Sequence, residues 1–181
     1  GDDSGDFSAS TTGKVCTVVF AANPNYESPA DANTDNVYQL TITFTDGTNT
    51  QAHNTAITVT DVNDQTPTYS ITTATPSIAE GTATVETVSI TDTDTGDNNA
   101  CALGGADAAD FTCTVSATQY VLAFAATPNY ESPVDADTDN EYVVTVTISD
   151  GTNTGATVTY SAITVTDVND QTPAVTVAAT Y

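Results

Sequence analysis

Asp61-Val62-Asn63-Asp64-Gln65-Thr66-Pro67 occurs twice in the chain, returning as Asp167-Val168-Asn169-Asp170-Gln171-Thr172-Pro173. Each copy follows a β-branched run, Ala56-Ile57-Thr58-Val59-Thr60 and then Ala162-Ile163-Thr164-Val165-Thr166, and each precedes another extended segment. β-Branched residues favour strands. A strand therefore runs out into a short rod of oxygen donors and hands over to a new unit. Asp and Asn side chains, with extended-backbone carbonyls between them, are hard oxygen ligands. That is the chemistry of Ca²⁺, which takes about six to eight oxygens in irregular geometry. An Asp/Asn-rich loop between strands has the same composition. The duplication at the end of a repeated unit is what points to a junction site.

Working outward, Asn25-Tyr26-Glu27-Ser28-Pro29 recurs as Asn129-Tyr130-Glu131-Ser132-Pro133, and Asp46-Gly47-Thr48-Asn49-Thr50 as Asp150-Gly151-Thr152-Asn153-Thr154, both at an offset of 104 residues. The linker copies lie 106 apart, so two residues enter just before the last strand of the second copy. One unit is about 105 residues, a normal domain size. The expected organisation is the C-terminal part of a repeat over 1–67, a complete repeat over 68–173, and the first strand of another over 174–181. The frame fits either an array cut at arbitrary points or a partial repeat completed by strands of another chain.

The alternation has period 2. Tyr38, Leu40, Ile42 and Phe44 share one face, and Tyr142, Val144, Val146 and Ile148 repeat the pattern. Such runs are half-buried strands of antiparallel sheets. Tyr120, Leu122 and Phe124 form a further inward row. The full unit is predicted to hold about seven strands, near 68–75, 84–91, 100–103, 111–115, 119–125, 141–149 and 156–166, with no helical periodicity. The expected fold is all-β, a seven-stranded Greek-key β-sandwich.

The 181 residues carry 24 acidic side chains against one basic residue, Lys14, for a formal net charge of -23. Few ion pairs can form, so the carboxylates must be hydrated or neutralised by cations. No basic patch can be assembled for nucleic acid or anionic membrane. No apolar run is long enough to span a bilayer as a helix. Cys101 and Cys113 flank a Gly/Ala/Asp turn and could be bridged, or could remain two thiols. A bridge would suit an extracellular protein. Cys16 alternates in phase with Val18 and Phe20 and reads as a buried, inert thiol.

Taken in order, the motifs of the full unit resemble those of a cadherin repeat, in the form found in bacterial cadherin-like proteins. Glu80 stands where that family has its base glutamate. Asp92-Thr93-Asp94-Thr95-Gly96-Asp97-Asn98 looks like its D-x-D-x-G-x-N, and Asn129-Tyr130-Glu131 takes the place of its D-x-E. Asp150 fills the position of the Asp that ends the penultimate strand, and Asp167-Val168-Asn169-Asp170-Gln171 resembles the D-x-N-D-N linker. The resemblance covers essentially the whole chain.

It implies a calcium-binding, tandem-repeat extracellular or cell-surface protein, of microbial origin, whose Ca²⁺ ions rigidify the junctions of a cell-adhesion stalk. Its alternative is a subunit of a self-assembling extracellular filament. Neighbouring repeats, other copies of the chain and cell-surface ligands are the implied partners. At the complete junction the implied ligands are Asn25, Glu27, Asp61, Asn63, Asp64 and the carbonyls of Val62 and Gln65, with Asp92, Asp94, Asn98 and Asp150 from the following repeat. Six of these are carboxylates, which could not all stay ionised at one point without a cation. Three Ca²⁺ would balance them, but Asn25 stands where the family has Asp, and the base glutamate of the first repeat is missing, so the resemblance leaves room for three ions or fewer. The second copy offers Glu80, Asn129, Glu131, Asp167, Asn169 and Asp170.

Asp135-Ala136-Asp137-Thr138-Asp139-Asn140 and its echo Asp31-Ala32-Asn33-Thr34-Asp35-Asn36 look like half of an EF-hand loop. The required Gly and terminal Glu are lacking, and the segment reads as a solvated loop. His53 has no counterpart in the second unit and reads as a surface loop residue. No nucleophile or base is suggested beside it, and the carboxylate pairs are better explained as metal ligands than as a glycosidase dyad. No enzymatic activity is expected.

Overall fold

The structure is a computed structural model that describes residues 2–96 and 98–176. It divides into two compact units. Unit 1 is Gly1–Asp64 together with Thr93–Thr95, and unit 2 is Gln65–Asp92 together with Gly96–Tyr181. Among the described residues no helix is long and apolar enough to cross a membrane.

Unit 1 contains β1 (Phe7–Thr12), β2 (Val15–Phe20), β3 (Val37–Thr45) and β4 (Thr50–Thr58). They form two antiparallel pairs, β1–β2 and β3–β4. The β3–β4 ladder runs without a break from Val37↔Thr58 to Thr45↔Thr50. Phe7, Phe20 and Tyr38 meet in a compact trio, with Tyr38 edge-on to both phenyl rings. Tyr38 and Leu40 are buried, yet further along the same face Phe44 is 46 % exposed.

Unit 2 contains β5 (Thr68–Tyr69), β6 (Ser77–Ala79), β7 (Thr84–Thr91), β8 (Ala100–Gly104), β9 (Phe111–Val115), β10 (Gln119–Phe124), β11 (Glu141–Ser149) and β12 (Val158–Thr166). They form two four-stranded sheets, ordered β5-β7-β10-β9 and β6-β12-β11-β8. Between them lies one core of Val88, Ile90, Phe111, Tyr120, Leu122, Phe124, Tyr142, Val144, Val146, Ile148, Tyr160, Ile163 and Val165. Each large apolar side chain so buried stabilises the fold by about 1.5–3 kcal/mol. Phe111, Phe124 and Tyr142 repeat the aromatic trio of unit 1. The all-β sandwich read from the alternation is the fold observed.

One expected strand is divided. In place of a continuous strand over 68–75, β5 pairs antiparallel with β7, whereas β6 pairs in parallel with β12 in the opposite sheet. The chain crosses between sheets in the interval, which ends at Pro76, a residue without an N–H for a ladder. Its carbonyls are used instead. Ala74 accepts the N–H of Ser161, and Pro76 that of Thr164.

The two extra residues of the second copy are absorbed as two one-residue slips in the β11–β12 ladder. One falls between Ser149↔Thr154 and Val146↔Val158, the other between Val144↔Tyr160 and Tyr142↔Ile163. A one-residue slip moves side chains to the other face. Tyr160 and Ile163 are an odd number of residues apart, yet both are fully buried. The bulge between them makes that possible.

Cys101 and Cys113 are joined by a disulfide with Cα atoms 6.1 Å apart. It ties β8 to β9, and so links the edges of the two sheets. Cys16 is half-buried, not buried as expected. It sits at the repeat position of Tyr120, whose ring in unit 2 meets Tyr69 of β5, on the far side of β7 in the same sheet. Among the described residues β2 pairs on one side only. His53 likewise lies on β4 opposite Ile42, exposed, and not in a loop.

Candidate metal centres

In unit 1, carboxylate oxygens of Glu27, Asp64 and Asp94 lie within 4.8 Å of one another. Glu27 comes from the loop after β2, Asp64 from the segment after β4, and Asp94 from the Thr93–Thr95 segment that belongs to this unit. Asp94 is buried, and Glu27 Oε1 is buried with no hydrogen-bond partner. Beside them Asp61 Oδ2 accepts both the N–H and the hydroxyl of Thr95, while Asp61 Oδ1 is buried without a donor. A bond from its own backbone N–H pulls the Glu27 carboxyl down. Burial and the charges of Asp64, Asp94 and Asp61 outweigh that bond and leave it above the ordinary value. Asp61 is held low, first by the Thr95 hydroxyl and then by the Thr95 N–H. Asn63 is half-buried in the same segment, and the Val62 side chain is 65 % exposed, leaving its carbonyl as the potential ligand.

Unit 2 contains the second group, Glu80, Glu131 and Asp167, again with carboxylate oxygens within 4.8 Å. Glu80 follows β6 directly and is buried. Its Oε1 accepts the Val168 N–H at 2.8 Å and its Oε2 the Tyr130 N–H at 2.9 Å. Those two bonds, Val168 first, hold Glu80 below its usual range. Glu131 is pushed up, by burial and then by Glu80, Asp170 and Asp167. Asn169 and Asp170 are exposed, and Asp170 Oδ1 accepts the Gln171 side-chain N–H.

Three of the remaining expected ligands bond within their own loops. Asp150, buried at the end of β11, accepts the N–H groups of Thr152 and Asn153 on one oxygen. Asn153 in turn donates to the Gln65 carbonyl at 2.7 Å. Asn25 and Asn129 each accept a backbone N–H three residues on, from Ser28 and Ser132. Asp92 is half-buried just past β7, Asn98 is exposed, and Asp97 of the same motif lies outside the described residues. Residues 177–181 of the expected next strand also lie outside them, and 174–176 form no strand.

Thr95 and Asn153 are partners that motif reading missed. Asn153 had a signal, since Asp-Gly-Thr-Asn occurs in both copies, at 46–49 and 150–153. Thr95 had none, because its role depends on Asp61, which is 34 residues away. Both carboxylate groups offer only oxygen, and the one basic side chain, Lys14, lies in the β1–β2 turn. The donor set fits a hard divalent cation such as Ca²⁺.

No family model matches the chain. Solved structures do share its fold. A protocadherin gammaB7 EC3-6 cis-dimer structure superposes with a TM-score of 0.65 and 22% identity, covering 94% of this chain and 39% of that one. The extracellular domain of protocadherin GammaB4 gives 0.61 and 21%, covering 91% and 26%. Human protocadherin-24 EC1-2 gives 0.62 and 18%, covering 93% and 79%. The chain thus spans well under half the length of the first two. In fold, it is a cadherin-type β-sandwich.

Proposed function

We propose that the chain is part of a calcium-binding, tandem-repeat extracellular protein in which Ca²⁺ stiffens the linkers of an adhesion stalk. The repeats would run over 1–67, 68–173 and from 174 onward, with 61–67 as the linker. The grouping of Glu27, Asp64 and Asp94 around a buried, undonated Glu27 oxygen carries this reading. Ions held there would neutralise carboxylates that otherwise repel. Apart from Pro67, the linker has one apolar side chain, Val62, and it points mostly to solvent. Side-chain packing therefore gives the linker little stiffness of its own, and ligation would supply it. The protein would act by spanning and holding, not by catalysis. Small-angle scattering of a protein with several repeats, in chelator and in millimolar Ca²⁺, tests the reading. A longer, stiffer particle with Ca²⁺ supports it, and identical dimensions and flexibility would overturn it.

Both the stalk and the filament reading must account for an open face of unit 1. Unit 1 has an open groove of about 600 Å³ lined by Phe7, Cys16, Val18, Leu40, Ile42 and Phe44. In unit 2 the corresponding strands β10 and β11 are flanked by β7 and β8. A segment with the alternation of 84–104 would fit the groove, whether from the same polypeptide or a neighbour. The mass of the native polypeptide in denaturant separates the two sources.

A further inference from the structure

The loop between β10 and β11 is not the simple solvated turn its composition suggests. Asp135 is only 3 % exposed, and it shapes the loop from inside. Its Oδ2 accepts the Asp139 N–H, and its carbonyl the Thr138 N–H. A second buried carboxylate, Asp107, anchors the frame by accepting the N–H groups of Ala136 and Val143.

Unit 1 builds the same frame. Asp31 Oδ2 accepts the Asp35 N–H, and Asp3 accepts those of Ala32 and Gln39. Thr34 and Thr138 share a positive φ, as do Asn36 and Asn140. The two loops thus differ at one chemically decisive position, where unit 1 has Asn33 and unit 2 has Asp137. The Asn33 amide donates to Asp35 Oδ2 at 2.8 Å, and Asp31 Oδ1 accepts the Asn36 N–H. In unit 2 no amide stands between the carboxylates. Oxygens of Asp135, Asp137 and Asp139 lie within 4.8 Å of one another, and Asp135 Oδ1 is buried without any hydrogen-bond partner.

We propose that Asp135, Asp137 and Asp139 form a calcium site within a single loop of unit 2, separate from the linker sites, with Asp135 Oδ1 as its innermost ligand. The Asn33 amide of unit 1 does with a neutral donor what the cation does here. Carboxylates at alternate positions present hard oxygens from one side, and water completes the shell, so affinity falls in the weak range of extracellular modules, about 10⁻⁴–10⁻³ M.

The test is a Ca²⁺ titration of the full chain, followed by calorimetry and by backbone amide resonances. The amides of 136–140 are expected to shift at submillimolar to millimolar Ca²⁺. Asp137→Asn, which copies unit 1 and keeps the frame, removes those shifts and one bound ion per chain. Asn33→Asp adds an ion and brings shifts at 32–36. Asp94→Asn weakens binding in the linker region and leaves the 136–140 shifts in place, so failure here is distinguishable from failure of the linker reading. Amides of 136–140 that ignore millimolar Ca²⁺, or an Asp137→Asn protein with unchanged stoichiometry, would overturn the proposal.

Discussion

The Glu80 carboxylate accepts the Val168 N–H at 2.8 Å, across 88 residues of sequence. With its second oxygen on Tyr130, it joins the end of β6, the loop bearing Glu131 and the exit of β12. Glu80 is thus held ionised by backbone donors, whereas Glu131 beside it is discouraged from ionising by burial and its neighbours.

The two glutamates therefore respond in opposite directions to neutralisation. In chelator, Glu80→Gln is expected to lower the unfolding temperature by several degrees, since an amide serves two N–H donors poorly. Glu131→Gln is expected to raise it, by removing a repelled charge. Both weaken Ca²⁺ binding at this group. Thermal unfolding with chelator, paired with a Ca²⁺ titration, checks both signs.

A second pair contributes to the acid response. Burial pushes Glu86 up, but hydrogen bonds from Thr72 and Tyr160 outweigh it and hold the carboxyl below its ordinary 4.5. A depressed carboxyl contributes stability that is present above the unfolded value and lost as pH falls through the folded one. Unfolding followed from pH 5 to pH 3 in chelator is expected to show a smaller loss in Glu86→Gln than in the wild type. Tyr160→Phe removes the donor 2.6 Å from Glu86 Oε2 and is expected to cost about 1.5 kcal/mol at neutral pH. Denaturant unfolding measures that cost.

Breaking the Cys101–Cys113 bridge releases a loop of sequence separation 12. The chain-entropy estimate for such a loop is about 3 kcal/mol. Cys101→Ser/Cys113→Ser is expected to remain folded with stability lowered by about that amount. Non-reducing peptide mapping checks the pairing, and a peptide linking Cys16 to either cysteine would contradict it.

Cys16 lines the unit 1 groove and is half-buried. In the native chain it is expected to react with a soluble alkylating reagent more slowly than in denaturant, yet to completion. Adding a peptide of residues 84–104 with Cys101→Ser, so that it carries no thiol of its own, is expected to slow the reaction at least tenfold if that segment fills the groove. An unchanged rate would rule out this occupant.

What the sequence by itself determined was local and periodic. The alternation at 38–44 and 142–148 assigned β3 and β11 and their inward faces, because a strand side chain can point only two ways. Duplicated motifs at fixed offsets marked the unit, and their order along it pointed to the cadherin-type sandwich. Glu80 and Glu131 were marked as candidate ligands only through that motif order, and their approach to one another is a property of the folded chain.

Tertiary structure decided what depends on pairing between distant segments. The divided first strand follows from which sheet offers donors to Ala74 and Pro76. The two inserted residues could have formed a longer hairpin. They became two slips instead, since only a bulge buries both Tyr160 and Ile163. Thr95 reaches Asp61, and Asp107 reaches Val143, by folding alone. Composition also marked Asp135 as a solvated loop residue. The fold buried it, because a carboxylate that collects backbone N–H groups stabilises a turn from within, and whether those donors converge is a property of the folded chain.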